Sequence, residues 1–191
     1  PFSNTSSLQS LKNSIAITGN SSYNTGFDSA IHQHPSSYYL DTASNIHTQL
    51  VFQPFTKMDS SYLQPNSAFK IWLYPKNSSS ILNETPFVEI KKQDAWLDVW
   101  ALGIPQHGPL EISFPTHPLT RYYLTGNPYP ANIDVSKISS SSSIGKYYWY
   151  WDAGLGATGN YTAKAFRHPR VIQKLEGFII KNTAETAGYL F

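Results

Sequence analysis

Residues 145–166 read GKYYWYWDAGLGATGNYTAKAF, and this stretch limits the possible folds more than any other. Tyr147, Tyr148, Trp149, Tyr150 and Trp151 follow one another without a break. Such a run suits a pleated, half-buried surface rather than a helix. A glycine-rich reversal comes next, and then a second run of strand-like composition ending at Phe166. The pattern predicts strand, turn, strand. Neighbouring side chains on a strand point to opposite faces. Tyr147, Trp149 and Trp151 therefore share one face, and Tyr148 and Tyr150 the other. One set belongs to the core. The other is either covered by another subunit or exposed as a platform on which a sugar ring can stack.

Gly154, Gly156 and Gly159 also spell G-x-G-x-x-G after a predicted strand, the first half of a dinucleotide fingerprint. That fingerprint needs a helix whose N-terminus holds the pyrophosphate. The residues that follow show no apolar spacing of three and four, and Pro169 would cut a helix short. The glycines are read as a hairpin loop, where they supply the positive φ angles of a tight reversal.

The rest of the chain extends the strand pattern. Ile46, Thr48, Leu50 and Phe52 alternate with polar residues until Pro54. Phe69-Lys70-Ile71-Trp72-Leu73-Tyr74 is a strand stopped by Pro75. Further strands are expected over 87–91, 95–102, 110–114, 121–125, 133–138, 171–172, 177–180 and 188–191. Gly126-Asn127-Pro128 is a strong turn signal. The serines at 139–143 are expected to form a mobile loop within one domain rather than an interdomain linker. Eight to eleven short strands, with thirteen prolines and eleven glycines as punctuation, predict an all-β fold. The expected form is an antiparallel β-sandwich, with a jelly roll as the favoured topology. Residues 1–45 are polar and turn-rich and are read as an N-terminal arm or extended segment; 46–191 form the sandwich. Leu8, Leu11 and Ile15 behind a Ser7 cap suggest one short helix in the arm.

The 191 residues suffice for one well-cored domain. Charged residues make up 14% of them, against about 25% in typical domains, so Ser, Thr, Asn and Gln must make the surface polar. Such a surface suits subunit packing or neutral ligands. The net charge is +2 and the longest basic run is Lys91-Lys92, which gives little support to nucleic-acid binding. The absence of cysteine excludes disulfides, thiolate metal sites and cysteine nucleophiles. Asn4, Asn20, Asn77, Asn83 and Asn160 stand in N-x-Ser/Thr sequons, which would be glycan acceptors in a secretory protein; in a chain this rich in Asn and Ser, chance matches are expected. No apolar run reaches the length of a membrane span. The start at Pro1-Phe2 is that of a processed or trimmed chain or of a fragment.

No reaction chemistry stands out. His32-Gln33-His34 has a chelating spacing, but it sits in loop-like sequence before a proline and reads as a solvated pair. Asp94 and Asp98 bracket Trp96, while Glu84, Glu89 and Glu111 lie on or beside strands; nothing brings two carboxylates to one cleft. There is no nucleophile elbow and no phosphate-binding loop. The expectation is a protein that is not an enzyme and that uses no cofactor and no metal.

The polar arm, the short strands between Pro and Gly loops, the few charges and the many aromatics resemble the jelly-roll coat proteins of small icosahedral viruses. His168-Pro169 followed by Phe178-Ile179-Ile180-Lys181-Asn182-Thr183 is similar to a segment of parvovirus capsid proteins. The length and the Pro1 start also resemble small subunits cut from picorna-like polyproteins. The resemblance implies a virion protein that assembles with its own copies or other capsid subunits. It also implies attachment to a cell-surface glycan or receptor through loops such as 76–85 and 138–145. The alternative is a secreted or extracellular carbohydrate-binding module or lectin. For that alternative the candidate ligand-binding residues are Trp149, Trp151, Tyr147 and Trp72.

Overall fold

The computed structural model describes residues 15–19, 27, 35–42, 50–56, 68–71, 74–75, 107–115, 120–157, 159–174, 176–183 and 187–190. Within them the strands are β1 (Ile15–Ala16), β2 (Ser37–Leu40), β3 (Phe52–Pro54), β4 (Lys70–Ile71), β5 (Tyr74–Pro75), β6 (Ile112–Phe114) and β7 (Arg121–Gly126). They continue with β8 (Ile133–Asp134), β9 (Ile144–Asp152), β10 (Asn160–Ala165), β11 (Val171–Ile172), β12 (Gly177–Asn182) and β13 (Gly188–Leu190). Every pairing is antiparallel, and the fold is all-β, as the strand pattern predicts.

The aromatic stretch builds the main sheet, whose order is β10-β9-β12-β7. β9 turns back on itself as β10, with Ala165 opposite Tyr147 and Tyr161 opposite Trp151. β12 then lies along the other side of β9, bringing Phe178 beside Tyr150 and Ile180 beside Tyr148. Alternation carries these four side chains to one face, together with Tyr123 of β7. Ile112 and Phe114 of β6, Leu190 of β13, Ile172 of β11, and Val135, Ile144 and Phe166 close over them as one buried cluster. Rings meet edge-to-face or tilted, at 5.2 Å for Tyr148 with Phe166 and 6.0 Å for Tyr148 with Phe178. Each such side chain removed from water contributes on the order of 1.5–3 kcal/mol. This face is the core, and Tyr148 and Tyr150 are its half of the aromatic run.

A second, smaller layer meets the opposite face. β2 pairs with β3 and β4, and Phe55 packs between Tyr39 and Phe69. At the Trp151 end this layer touches the main sheet: Phe52 stacks on Tyr161 at 6.2 Å, and the Lys70 ammonium sits 4.7 Å from a Trp151 ring centroid.

Several local expectations change. Pro54 and Pro75 do end β3 and β5, each as the last residue of the strand rather than the residue after it. β3 is an edge strand, where a missing N–H costs no ladder bond. The strand expected over 133–138 runs only to Asp134 and then tightens into a 3-10 turn, Val135–Lys137, whose Asp134 cap accepts from the Ser136 N–H. The serine run is a loop whose backbone is paired at Ser140, Ser141 and Ser143. Ser140 bridges Leu190, Ser141 exchanges hydrogen bonds with Tyr189, and the Ser143 carbonyl accepts from the Thr183 N–H. Serine suits that edge because its hydroxyl completes backbone pairing, as when Ser141 Oγ accepts from the Tyr189 N–H at 3.0 Å. The helix expected in the arm lies outside the described residues, apart from Ile15, which belongs to β1. The segments at 87–91 and 95–102 also lie outside them.

Candidate functional site

The outer face of β9 carries Tyr147, Trp149 and Trp151, and the structure gives each a different environment. Trp151 is held on several sides. Lys70 lies over it, Tyr161 meets it edge-on at 5.1 Å, and Gly159 passes against its indole. Trp149 is half-buried and packs edge-on against Tyr122 of β7 at 5.4 Å. Tyr147 alone is open, with 55% of its surface exposed. Of the three, only Tyr147 presents a free ring. Trp72 lies outside the described residues.

Beside Tyr147 runs a groove of about 430 Å³. Ala163 and Ala165 form its floor, because the hairpin register sets them next to Trp149 and Tyr147 on the same face. Their methyl groups leave the space that larger side chains would fill. The opposite wall is the turn after β10, with Arg167, His168 and Pro169, all exposed. Both ends of this turn are anchored. Phe166 is buried against Tyr148, and its N–H donates to the Lys146 carbonyl at 3.2 Å. The His168 N–H donates to the Ala165 carbonyl at 3.0 Å. Arg170 then stacks on the core face of Tyr150, its guanidinium carbon 3.7 Å from the ring centroid, and pairs with Glu176. Lys164 also borders the groove, but its ammonium turns toward Tyr150 at 5.7 Å. Among the described residues no carboxylate lines the groove.

The loop that closes the hairpin is ordered by its own chemistry. The Asp152 carboxylate accepts from the Gly154 N–H at 2.9 Å, and Gly156 and Gly159 take positive φ angles of 69° and 83°. At Gly159 a β-carbon would lie 2.6 Å from the Trp151 ring. Gly159→Ala therefore combines left-handed backbone strain with displacement of the indole, and is expected to cost about 1–2 kcal/mol. Denaturant melts report the cost, and a shifted tryptophan emission maximum in the native baseline reports the moved ring.

Burial pushes the Tyr161 hydroxyl up to about 12, from an ordinary value of about 10. The unfolded chain thus releases this proton first. The stability tied to neutral Tyr161 is complete below pH about 10 and is lost as the pH rises toward 12. Burial shifts the Tyr38, Tyr123 and Tyr148 hydroxyls upward as well. Between pH 8 and pH 11 the Tyr161→Phe protein should lose less stability than the parent, as read from urea midpoints at each pH.

A second cavity of about 310 Å³ lies at the rim of the core between Leu110, Ile112, Tyr129, Ile133, Ile138 and Leu190. Its lining is mostly apolar. Asp134 at its edge is held below the usual carboxylate range by hydrogen bonds from the Ser136 N–H and hydroxyl. That carboxylate is occupied as a cap. Among the described residues no group of three or more His, Asp and Glu side chains could hold a metal ion. His32 and His34, and Glu84, Glu89, Asp94 and Asp98, lie outside those residues; Glu111 is exposed beside β6. Among the described residues no helix is long and apolar enough to cross a membrane.

Arg167 and His168 are the groove residues that the strand pattern does not single out. The available signal is the hairpin itself: a β10 that runs back beside β9 must bring the residues after Ala165 alongside Tyr147. Neither family models, curated proteins nor solved structures yield a match to this chain.

Proposed function

We propose that this chain is a non-enzymatic structural domain of a viral coat or spike, which assembles with other subunits and attaches to a cell-surface carbohydrate. The observation that carries the attachment role is Tyr147, an exposed ring beside a groove with a methyl floor and a clamped polar wall. Sugar sites combine an aromatic face with a few fixed polar groups, and the groove supplies both. Support for assembly comes from the weakly charged surface and from β10, a six-residue strand at the edge of the main sheet. The jelly-roll topology belongs to this proposal, as does a place in the virion.

The carbohydrate-binding module is favoured by the same groove and differs in working alone. Light scattering of the purified chain across a concentration series separates the two. A closed assembly or a stable symmetric oligomer is the expected result. A monomer at every concentration would overturn self-assembly. Glycan binding by that monomer would then make the chain a free-standing binding module.

A further inference from the structure

We infer that the groove beside Tyr147 binds an anionic saccharide, with the sugar ring against the tyrosine and its acidic group on Arg167; this rests on the carbohydrate-attachment function proposed above. The groove is asymmetric in its chemistry. One wall is an exposed ring, the floor is two alanines, and the facing wall offers a guanidinium and an imidazole. Among the described residues the Arg167 and His168 side chains make no hydrogen bond or ion pair, so their donors are available to a ligand. With no carboxylate among the described lining residues, an uncharged sugar would leave the guanidinium unanswered, whereas a carboxylate or sulfate can take two parallel N–H donors from it.

The wall is also built to hold its position. Phe166 and Arg170 bracket Arg167-His168-Pro169, one buried against Tyr148 and the other stacked on Tyr150. Five residues thus run from core to surface and back, with proline stiffening the exposed part. Binding to such a turn loses little conformational freedom, which favours affinity. The volume of about 430 Å³ falls in the range of small-ligand sites. An acidic sugar and a neighbouring residue of the glycan would occupy it. Single-stranded nucleic acid also stacks on aromatics beside cations, but it needs a basic track with successive rings. Here one exposed ring and one guanidinium line the groove.

The test is a calorimetric or NMR titration of the full chain with four probes: a sialylated trisaccharide, a heparin-derived tetrasaccharide, lactose and a short oligothymidylate. The expected result is binding of one or both acidic saccharides at least about tenfold tighter than lactose, the effect of one charge-assisted contact. Preference between the first two assigns the acidic group as carboxylate or sulfate. Arg167→Ala should abolish that preference, and Tyr147→Ala should weaken both acidic and neutral sugars, while Tyr147→Trp retains binding. Ala163→Trp, on the exposed floor, should block the groove without touching the core.

Equal affinity for lactose and the acidic sugars would overturn the anionic assignment and leave carbohydrate attachment standing. Binding that survives Arg167→Ala or Ala163→Trp unchanged would also overturn it. No binding of any saccharide would overturn both the anionic assignment and the attachment role. Tighter binding of oligothymidylate would replace them with a nucleic-acid surface.

Discussion

Asn127→Ala is expected to lower the unfolding free energy by about 3 kcal/mol, the largest loss from any single polar side chain described. Asn127 is fully buried just after β7. Its amide donates to the Ala131 carbonyl at 2.7 Å and the Gln173 carbonyl at 3.2 Å, with Ile172 at 3.4 Å, and its oxygen accepts from the Tyr129 N–H at 2.9 Å. One side chain thus ties the β7–β8 connection to the end of β11. Truncation leaves buried carbonyls and an N–H without partners, and each such group costs about 1–3 kcal/mol. Asn127→Asp makes a sharper test. It keeps the shape but turns donors into a carboxylate facing carbonyl oxygens, which raises the folded pKa of the introduced acid. Its extra destabilisation should be absent below pH about 4, the unfolded value, and should grow as the pH rises above it. Urea midpoints for the two variants between pH 3 and 7 check this. Parallel behaviour of Ala and Asp would refute the hydrogen-bonding account.

Arg170 carries the second large effect. Its guanidinium covers Tyr150, pairs with Glu176 and lies near the Tyr148 hydroxyl without a well-formed bond to it. Both members of the pair keep about a fifth of their side-chain surface in contact with solvent, 19% and 21%. The loss on breaking it should fall below the 3–5 kcal/mol of a fully buried pair. Arg170→Ala, which also exposes the Tyr150 ring, is expected to cost about 2–3 kcal/mol. Arg170→Met retains the stem over the ring and should cost about half as much. Glu176→Gln leaves the guanidinium short of its anion while its Nη1 already lacks a partner among the described residues, so the double change Arg170→Met with Glu176→Gln should cost less than the sum of the two. A double-mutant cycle by chemical denaturation measures that coupling. An additive result would mean that the ion pair contributes nothing beyond packing.

The hairpin was legible because its signals are local. Alternating aromatics define two faces wherever the strand lies, and the glycines at 156 and 159 meet a need for positive φ set within the loop. The failed strand over 133–138 shows the limit of that logic. Val135 and Ile138 are apolar at a spacing of three, and Asp134 caps the turn between them, so capping outweighed strand composition. The pairing of the serines at 139–143 is not legible in their composition. Their partners, Tyr189, Leu190 and Thr183, come from about forty to fifty residues further along the chain.

The candidate site divides along the same line. That Tyr147, Trp149 and Trp151 share a face follows from the period of a strand, and so does the position of Ala163 and Ala165 beside them once the hairpin closes. Periodicity cannot say which face is buried. Here β6, β11 and β13 make that choice by covering Tyr148 and Tyr150. The fates of the outer three depend on contacts as remote as Lys70 for Trp151 and Tyr122 for Trp149. By itself the sequence determined the all-β class, the hairpin and the two aromatic faces, since these rest on backbone geometry and neighbours in the chain. Tertiary structure alone decided that Tyr147 stays open and lines one groove with Arg167 and His168, because burial depends on which distant surfaces pack together.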